Sequence, residues 1–260
     1  MSQAITDLLN ADALDEANAK AVEWVKSAPE SGQARMTLAA LSVLMGDLKR
    51  AETHATMAAR IDTQDAVGYG LFRQHLRGLE ARAQWWENGA VPTFPGGASE
   101  TDQAAVALNV ALRDGDEAKT VAALEALEAL RGTRPGAWNG EAVDDLRDLD
   151  DRLPHALEAV SAGGNYLWID LAKVTSIAFR PVSGPLDLAL RPARVTLDDG
   201  AEADLGLPAI YPAPTSDAER LGRSTDFIER GGIMIGQGQR AWLAGDEMQG
   251  FLGAEEITIG

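Results

Sequence analysis

Two stretches of this chain carry the residue types that chemistry usually needs. The first is an acidic run, Asp144-Asp145-Leu146-Arg147-Asp148-Leu149-Asp150-Asp151-Arg152. Clustered carboxylates can hold a divalent ion or act as an acid and base pair, so Asp148, Asp150 and Arg152 around a metal ion are the enzymatic reading. Nothing accompanies them, however. The chain has no cysteine, and His54, His75 and His155 lie far apart and outside any metal-ligand spacing. The second stretch, Gly236-Gln237-Gly238-Gln239-Arg240-Ala241, follows the apolar run Ile233 to Ile235 and reads as the start of a dinucleotide fingerprint. A dinucleotide site needs a helix and a further strand, with an acid about 20 residues on. Only 260 − 241 = 19 residues remain, and Trp242-Leu243-Ala244-Gly245-Asp246 is a poor helix. Strand-turn-strand is therefore the preferred reading. With no glycine-lysine phosphate loop and no Gly-x-Ser-x-Gly elbow, neither catalytic residue, cofactor nor metal is expected.

The acids have a simpler explanation. Val143, Leu146, Leu149, Leu153, Leu157 and Val160 recur at helical spacing, which predicts a helix over 142–161 with most acids on its wet face. Asp148, Asp150 and Arg152 would then join that helix to a downstream β unit through charge-assisted hydrogen bonds. Trp85-Trp86 offers exposed aromatic anchorage for a partner. The favoured alternative packs one ring into a helical core and lays the other over the loop of Val91 and Phe94. Trp168 and Trp242 are expected to fill the β unit.

The elements that must position these residues fall into two runs. Ala17 and Ala51, Ala21 and Ala55, Trp24 and Ala58, and Pro29 and Thr63 are each 34 residues apart, since 51 − 17 = 34. That is the period of the tetratricopeptide helix-turn-helix repeat. Gly46-Asp47 marks a turn between paired helices, and Gly115-Asp116 repeats it in degenerate form. Helices are predicted over 3–9, 12–27, 33–45, 47–61, 65–88, 101–113, 115–131 and 142–161. The stretch from Asn88 to Gly97 is a loop. Past Asn165 the pattern changes to aromatic and β-branched residues at Tyr166 to Ile169 and Val174 to Phe179. Asp198-Asp199-Gly200 sets a hairpin between Ala193 to Leu197 and Ala201 to Leu207. Further strands are Ile233 to Ile235, Ala241 to Leu243 and Ile257 to Ile259. The expectation is a two-part α+β chain: a tetratricopeptide-like helical domain over 1–162 and a small, mostly antiparallel, barrel-like β domain over 163–260.

Bulk composition narrows the partners. Forty acidic residues face 23 basic ones, giving a net charge of −17, which repels nucleic acid and anionic lipid. A protein with a basic or apolar contact face fits better. No cysteine means no disulfide and no thiolate zinc site, and is compatible with a reducing compartment. Met1 to Ala13 does not read as a secretory signal, and no run of about 18 apolar residues occurs. The expected address is the cytoplasm. Stacked α-hairpins alone suggest a peptide-binding module that recruits some basic client protein.

Several blocks in order carry a more specific likeness. They are Gly46-Asp47-Leu48-Lys49-Arg50-Ala51, Asp148-Leu149-Asp150-Asp151-Arg152-Leu153 with Leu157-Glu158, Tyr166-Leu167-Trp168, and Arg191 to Gly200. Leu221-Gly222-Arg223-Ser224-Thr225-Asp226 and Gly236-Gln237-Gly238-Gln239-Arg240 complete the set. Over nearly its whole length the chain resembles the ImpE family, also called TagJ or SciE-type proteins, accessory components of bacterial type VI secretion systems. It departs from the family pattern at Asp145, where an aromatic is usual, and at Pro154-His155, where Gly-Pro is usual. The resemblance implies a non-catalytic adaptor that binds an N-terminal helix of the small contractile-sheath subunit. It also implies a connection with the AAA+ ATPase that disassembles contracted sheath. Trp85, Trp86, Asp148, Asp150, Arg152, Trp168, Arg223, Asp226, Gln239 and Arg240 are the candidate contact or signature residues.

Overall fold

Caps and alanine spacing dictate the first half of the molecule. A computed structural model describes residues 1–260 and places α1 at Gln3–Asn10, α2 at Leu14–Ser27, α3 at Gly32–Leu44, α4 at Leu48–Ile61, α5 at Ala66–Asn88, α6 at Glu100–Asp114 and α7 at Glu117–Arg131. Asp47 and Asp116 accept the backbone N–H groups of Arg50 and Lys119, so both Gly-Asp turns start helices as their sequence requires. Ser99 and Asp102 form a reciprocal capping box on α6. Ala17 and Ala21 on α2 and Ala51, Ala55 and Ala58 on α4 are all fully buried, which lets consecutive helices approach closely.

The predicted helix over 142–161 is not there. The last long helix ends at Arg131, and strands follow: β1 Gly136–Trp138, β2 Glu141–Val143, β3 Leu146–Asp148, β4 Ala156–Ser161, β5 Tyr166–Asp170 and β6 Val174–Phe179. The short helix α8, Pro185–Ala189, precedes β7 Leu190–Leu197 and β8 Glu202–Pro208. A single turn, α9 Asp217–Arg220, leads to β9 Thr225–Arg230, β10 Ile233–Gly238, β11 Ala241–Ala244, β12 Glu247–Gly250 and β13 Glu256–Ile259. Two features overrule the helical spacing. Pro154 interrupts it, and Leu146, Asp148 and Asp150 are buried while Arg147 and Leu149 are only half-buried, a period of two. The apolar stripe misled because two of the residues facing inward are acids. The change from helix to strand thus falls between Arg131 and Gly136, and a division at 162 would cut between β4 and β5, which pair along their length.

The main sheet has eight strands in the order β2-β1-β13-β6-β7-β8-β4-β5, all antiparallel. The order is open, with β2 and β5 at its ends, so the expected barrel-like closure is absent from the pairing. Part of the β5 edge is covered by the loop after α5: Thr93 N–H donates to the Tyr166 carbonyl at 3.0 Å, and the Trp168 N–H donates back to the Thr93 carbonyl at 3.1 Å. A β9-β10 hairpin and a three-stranded sheet, β12-β11-β3, complete the β part.

One apolar core lies wholly among the strands, around Trp138, Leu157, Ile177, Trp242 and Phe251. Three others span both halves, of which two join the helices to the strands. Trp85, Leu108 and Leu127 of the helices pack with Tyr166, Trp168, Ile233 and Ile235. Phe72, Leu76 and Leu79 of α5 pack with Val160 and Leu190. The second contact is so close that any Cβ on Gly78 would collide with Val160, whereas Gly70 on the same helix has open space around it.

Opposite outcomes are therefore expected for the same change on one helix. Gly70→Ala should stabilise by up to about 1 kcal/mol through helix propensity. Gly78→Ala should destabilise by about 1–3 kcal/mol through overpacking. Urea melts of the two variants check the pair of signs.

Candidate functional site

At the contact between α5 and the sheet, β4 presents Glu158 inside the run Ala156-Leu157-Glu158-Ala159-Val160, where every residue is buried. A lone carboxylate there would be prohibitively desolvated, so it must be met by donors. Arg82 on α5 grips it with two bonds, Nε at 2.9 Å and Nη2 at 3.1 Å, and the Trp86 indole N–H donates at 3.0 Å. Arg240, between β10 and β11, and the Tyr166 hydroxyl complete the set. Trp168 Nε1 donates to the Tyr166 oxygen at 2.7 Å. Arg240 also binds Asp148 at the end of β3, and its Nε donates to the Pro208 carbonyl at 3.0 Å. Asp148 accepts the Tyr211 hydroxyl at 2.7 Å and the Asp150 N–H at 2.9 Å. Asp150 in turn holds Arg152 through Nε at 2.8 Å and accepts the Gly236 N–H at 3.1 Å.

Charge follows from this geometry. Burial alone would raise Glu158, but the guanidinium charges of Arg82 and Arg240, with hydrogen bonds from Arg82 and Tyr166, bring it down to about 2. Burial pushes Asp148 up to about 6 against the opposing pull of Arg240. The phenols of Tyr166 and Tyr211 are pushed well above their ordinary value by burial and by the neighbouring carboxylates. The acid run is thus no solvated face, and the carboxylates read as possible metal ligands are occupied by arginine. The glycine pattern is strand-turn-strand. Gly236 has no Cβ because the ring of Tyr211 lies against its backbone.

Outside this network opens a cleft of about 510 Å³ between α5, the turn joining α3 to α4, and the β9-β10 hairpin. Leu44, Leu48, Leu79, Ile210, Ile228 and Ile235 give it apolar walls, and Trp86 faces it with Arg152 stacked 4.4 Å from its ring centroid.

The pattern of the ImpE protein family matches residues 140–258. That stretch is similar to the ImpE family. Over 241 residues the chain is 27% identical to the type VI secretion system accessory component TagJ of Pseudomonas aeruginosa, covering 89% of this chain and 83% of that one. The crystal structure of protein VPA1032 from Vibrio parahaemolyticus superposes with a TM-score of 0.91 at 23% identity, over 99% of this chain and 98% of that one, and so shares the fold.

The stretch that matches the ImpE family supplies Asp148, Asp150, Arg152, Trp168 and Arg240 to the network, and α5 supplies Trp86. Trp85 is buried beside Trp168, with ring centroids 4.9 Å apart. The other sequence candidates lie elsewhere. Gln239 staples two turns, donating to the Gly222 carbonyl at 2.7 Å and accepting the Leu252 N–H at 3.0 Å. Arg223 pairs with Asp12 at 3.1 Å in the turn between α1 and α2, and Asp226 is exposed on β9. Sequence reasoning missed Arg82, Tyr166, Tyr211 and the central role of Glu158. An acid flanked on both sides by apolar residues was the available signal.

A pH dependence results, with its sign fixed by the depressed value of Glu158. Its contribution is complete above pH 4.5 and is lost as pH falls from 4.5 to about 2. The stability advantage of the wild type over Glu158→Gln should therefore shrink by about 3 kcal/mol across that window, as denaturant melts at stepped pH would show. Arg240→Met, which strands Asp148 and Glu158, should cost about 3–5 kcal/mol at neutral pH.

Proposed function

We propose that this chain is a non-catalytic adaptor of a bacterial type VI secretion system, working in the cytoplasm. Its task is to bind an N-terminal helix of the small contractile-sheath subunit. It also brings that subunit into the reach of the AAA+ ATPase that takes contracted sheath apart. The observation that carries the reading is the stretch similar to the ImpE family joined to a helical array, in a chain that aligns over 89% of its length with a TagJ accessory component. The 34-residue spacing of buried alanines on α2 and α4 supports a tetratricopeptide-like origin for the array. Such arrays present grooves between helices that accept an amphipathic helix by its apolar stripe. No helix of the chain is long and apolar enough to cross a membrane. The net charge of −17 steers basic residues of the partner during approach, a contribution to association rate more than to affinity.

Purified chain should retain the small sheath subunit in a pull-down at low salt, with retention falling as salt rises. Removing the first helix of the sheath subunit should abolish retention. No retention at any salt contradicts the proposal, and retention that survives the deletion points to recruitment of a client by another surface.

A further inference from the structure

The cleft beside the buried network is lined by arginines, in a molecule that is acidic overall. Although the chain carries −17 overall, four arginines line this cleft, Arg82, Arg152, Arg220 and Arg230, against one carboxylate, Glu87. Arg82, Arg152 and Arg220 are each paired on the protein side, with Glu158, Asp150 and Asp217. Each bonds its acid through only part of its fork, so N–H groups remain that the acid does not use. Arg230 stands exposed at the rim on β9 with no acid partner.

The walls between these cations are apolar. Ile228 is 41% exposed there, and Trp86 is only half-buried although its indole N–H is fixed on Glu158. A tryptophan held in one rotamer, stacked on an arginine and open on one side, is the kind of anchor that binding surfaces use. The opposite rim is stiff. Pro212 and Pro214 enclose Ala213, a residue with a side chain held at φ 60°.

Resting on the adaptor reading, we propose that this cleft seats an amphipathic helix of the partner protein, and that the helix places an aspartate or glutamate beside its apolar anchors. The carboxylate meets Arg230 and the outer N–H groups of the paired arginines, while the anchors cover Trp86, Ile228 and Leu79. A basic residue at the same point would be repelled. The acidic exterior and the arginine-lined cleft then divide the work: the exterior gathers a partner with basic residues, and the cleft fixes which turn of its helix docks and in which direction.

A display library of amphipathic helical peptides, selected against the full chain, tests this without assuming the partner. Enriched peptides should carry Asp or Glu next to their apolar anchors. Their affinity should fall about tenfold on Arg230→Glu, and by at least as much on Ala83→Trp, which fills the cleft from α5. Both positions lie outside the buried network, and unchanged thermal melts confirm that the variants fold. Enrichment of basic peptides, binding indifferent to both variants, or no binder at all overturns the proposal. The sheath subunit run on the same variants separates the two readings. If it binds but ignores Arg230→Glu and Ala83→Trp, the adaptor role stands and the cleft assignment falls. If acidic helices bind the cleft and the sheath subunit does not bind at all, the cleft stands and the named partner falls.

Discussion

A single buried carboxylate sets the terms for this structure. Glu158 lies on a strand covered on both faces, and it is tolerable there only because Arg82 reaches it from the helical layer and Arg240 from the far turn of the β layer. The same two arginines hold the layers in register. Arg82 also donates to the Ile210 carbonyl at 3.0 Å, and Arg240 ties down the Pro208 carbonyl, so the chain leaving β8 is fixed by the charges that neutralise the acid. Replacing such a network with apolar residues of equal volume can leave stability unchanged. What it supplies here is a unique placement of α5 on the sheet, because the fork geometry of arginine admits few alternatives.

That placement shapes the surface. With Arg82 and Trp86 fixed on Glu158, and Arg152 fixed on Asp150, the next residues outward form one wall of the cleft, and the β9-β10 hairpin forms the other. The residues that stabilise the junction between the layers are therefore the immediate support of the surface assigned to partner binding. Asp148, Asp150 and Arg240 stay buried and position other side chains, whereas Arg82, Trp86 and Arg152 line the cleft themselves.

Most of the helical half was legible in the sequence. Asp47 and Asp116 cap as their types predict, and the alanine spacing located the faces where helices touch. The strands from Tyr166 onward were legible as well, because their β-branched and aromatic content is unambiguous and Asp199-Gly200 forces the hairpin. The region from Gly136 to Ser161 was not. Hydrophobic periodicity assumes that charge marks the wet face, and here Asp148, Asp150 and Glu158 are the inward residues, neutralised by arginines that come from distant parts of the chain. Arg240 was a candidate, but its pairing with Asp148 and Glu158 was hidden inside a glycine pattern whose glycines serve close packing. No local rule connects position 82 with 158 or 240. That link exists only once the layers have met, so it was beyond the reach of spacing arguments.

The central claim is that the helical layer and the sheet are one cooperative unit joined through Glu158. Native-state hydrogen exchange in rising urea, followed by mass spectrometry, addresses it most directly. The account predicts that amides of α5 and of β4 converge on the same opening free energy and the same urea dependence. Exchange of the helices in a separate, lower-energy opening, while β4 stays protected, would contradict it.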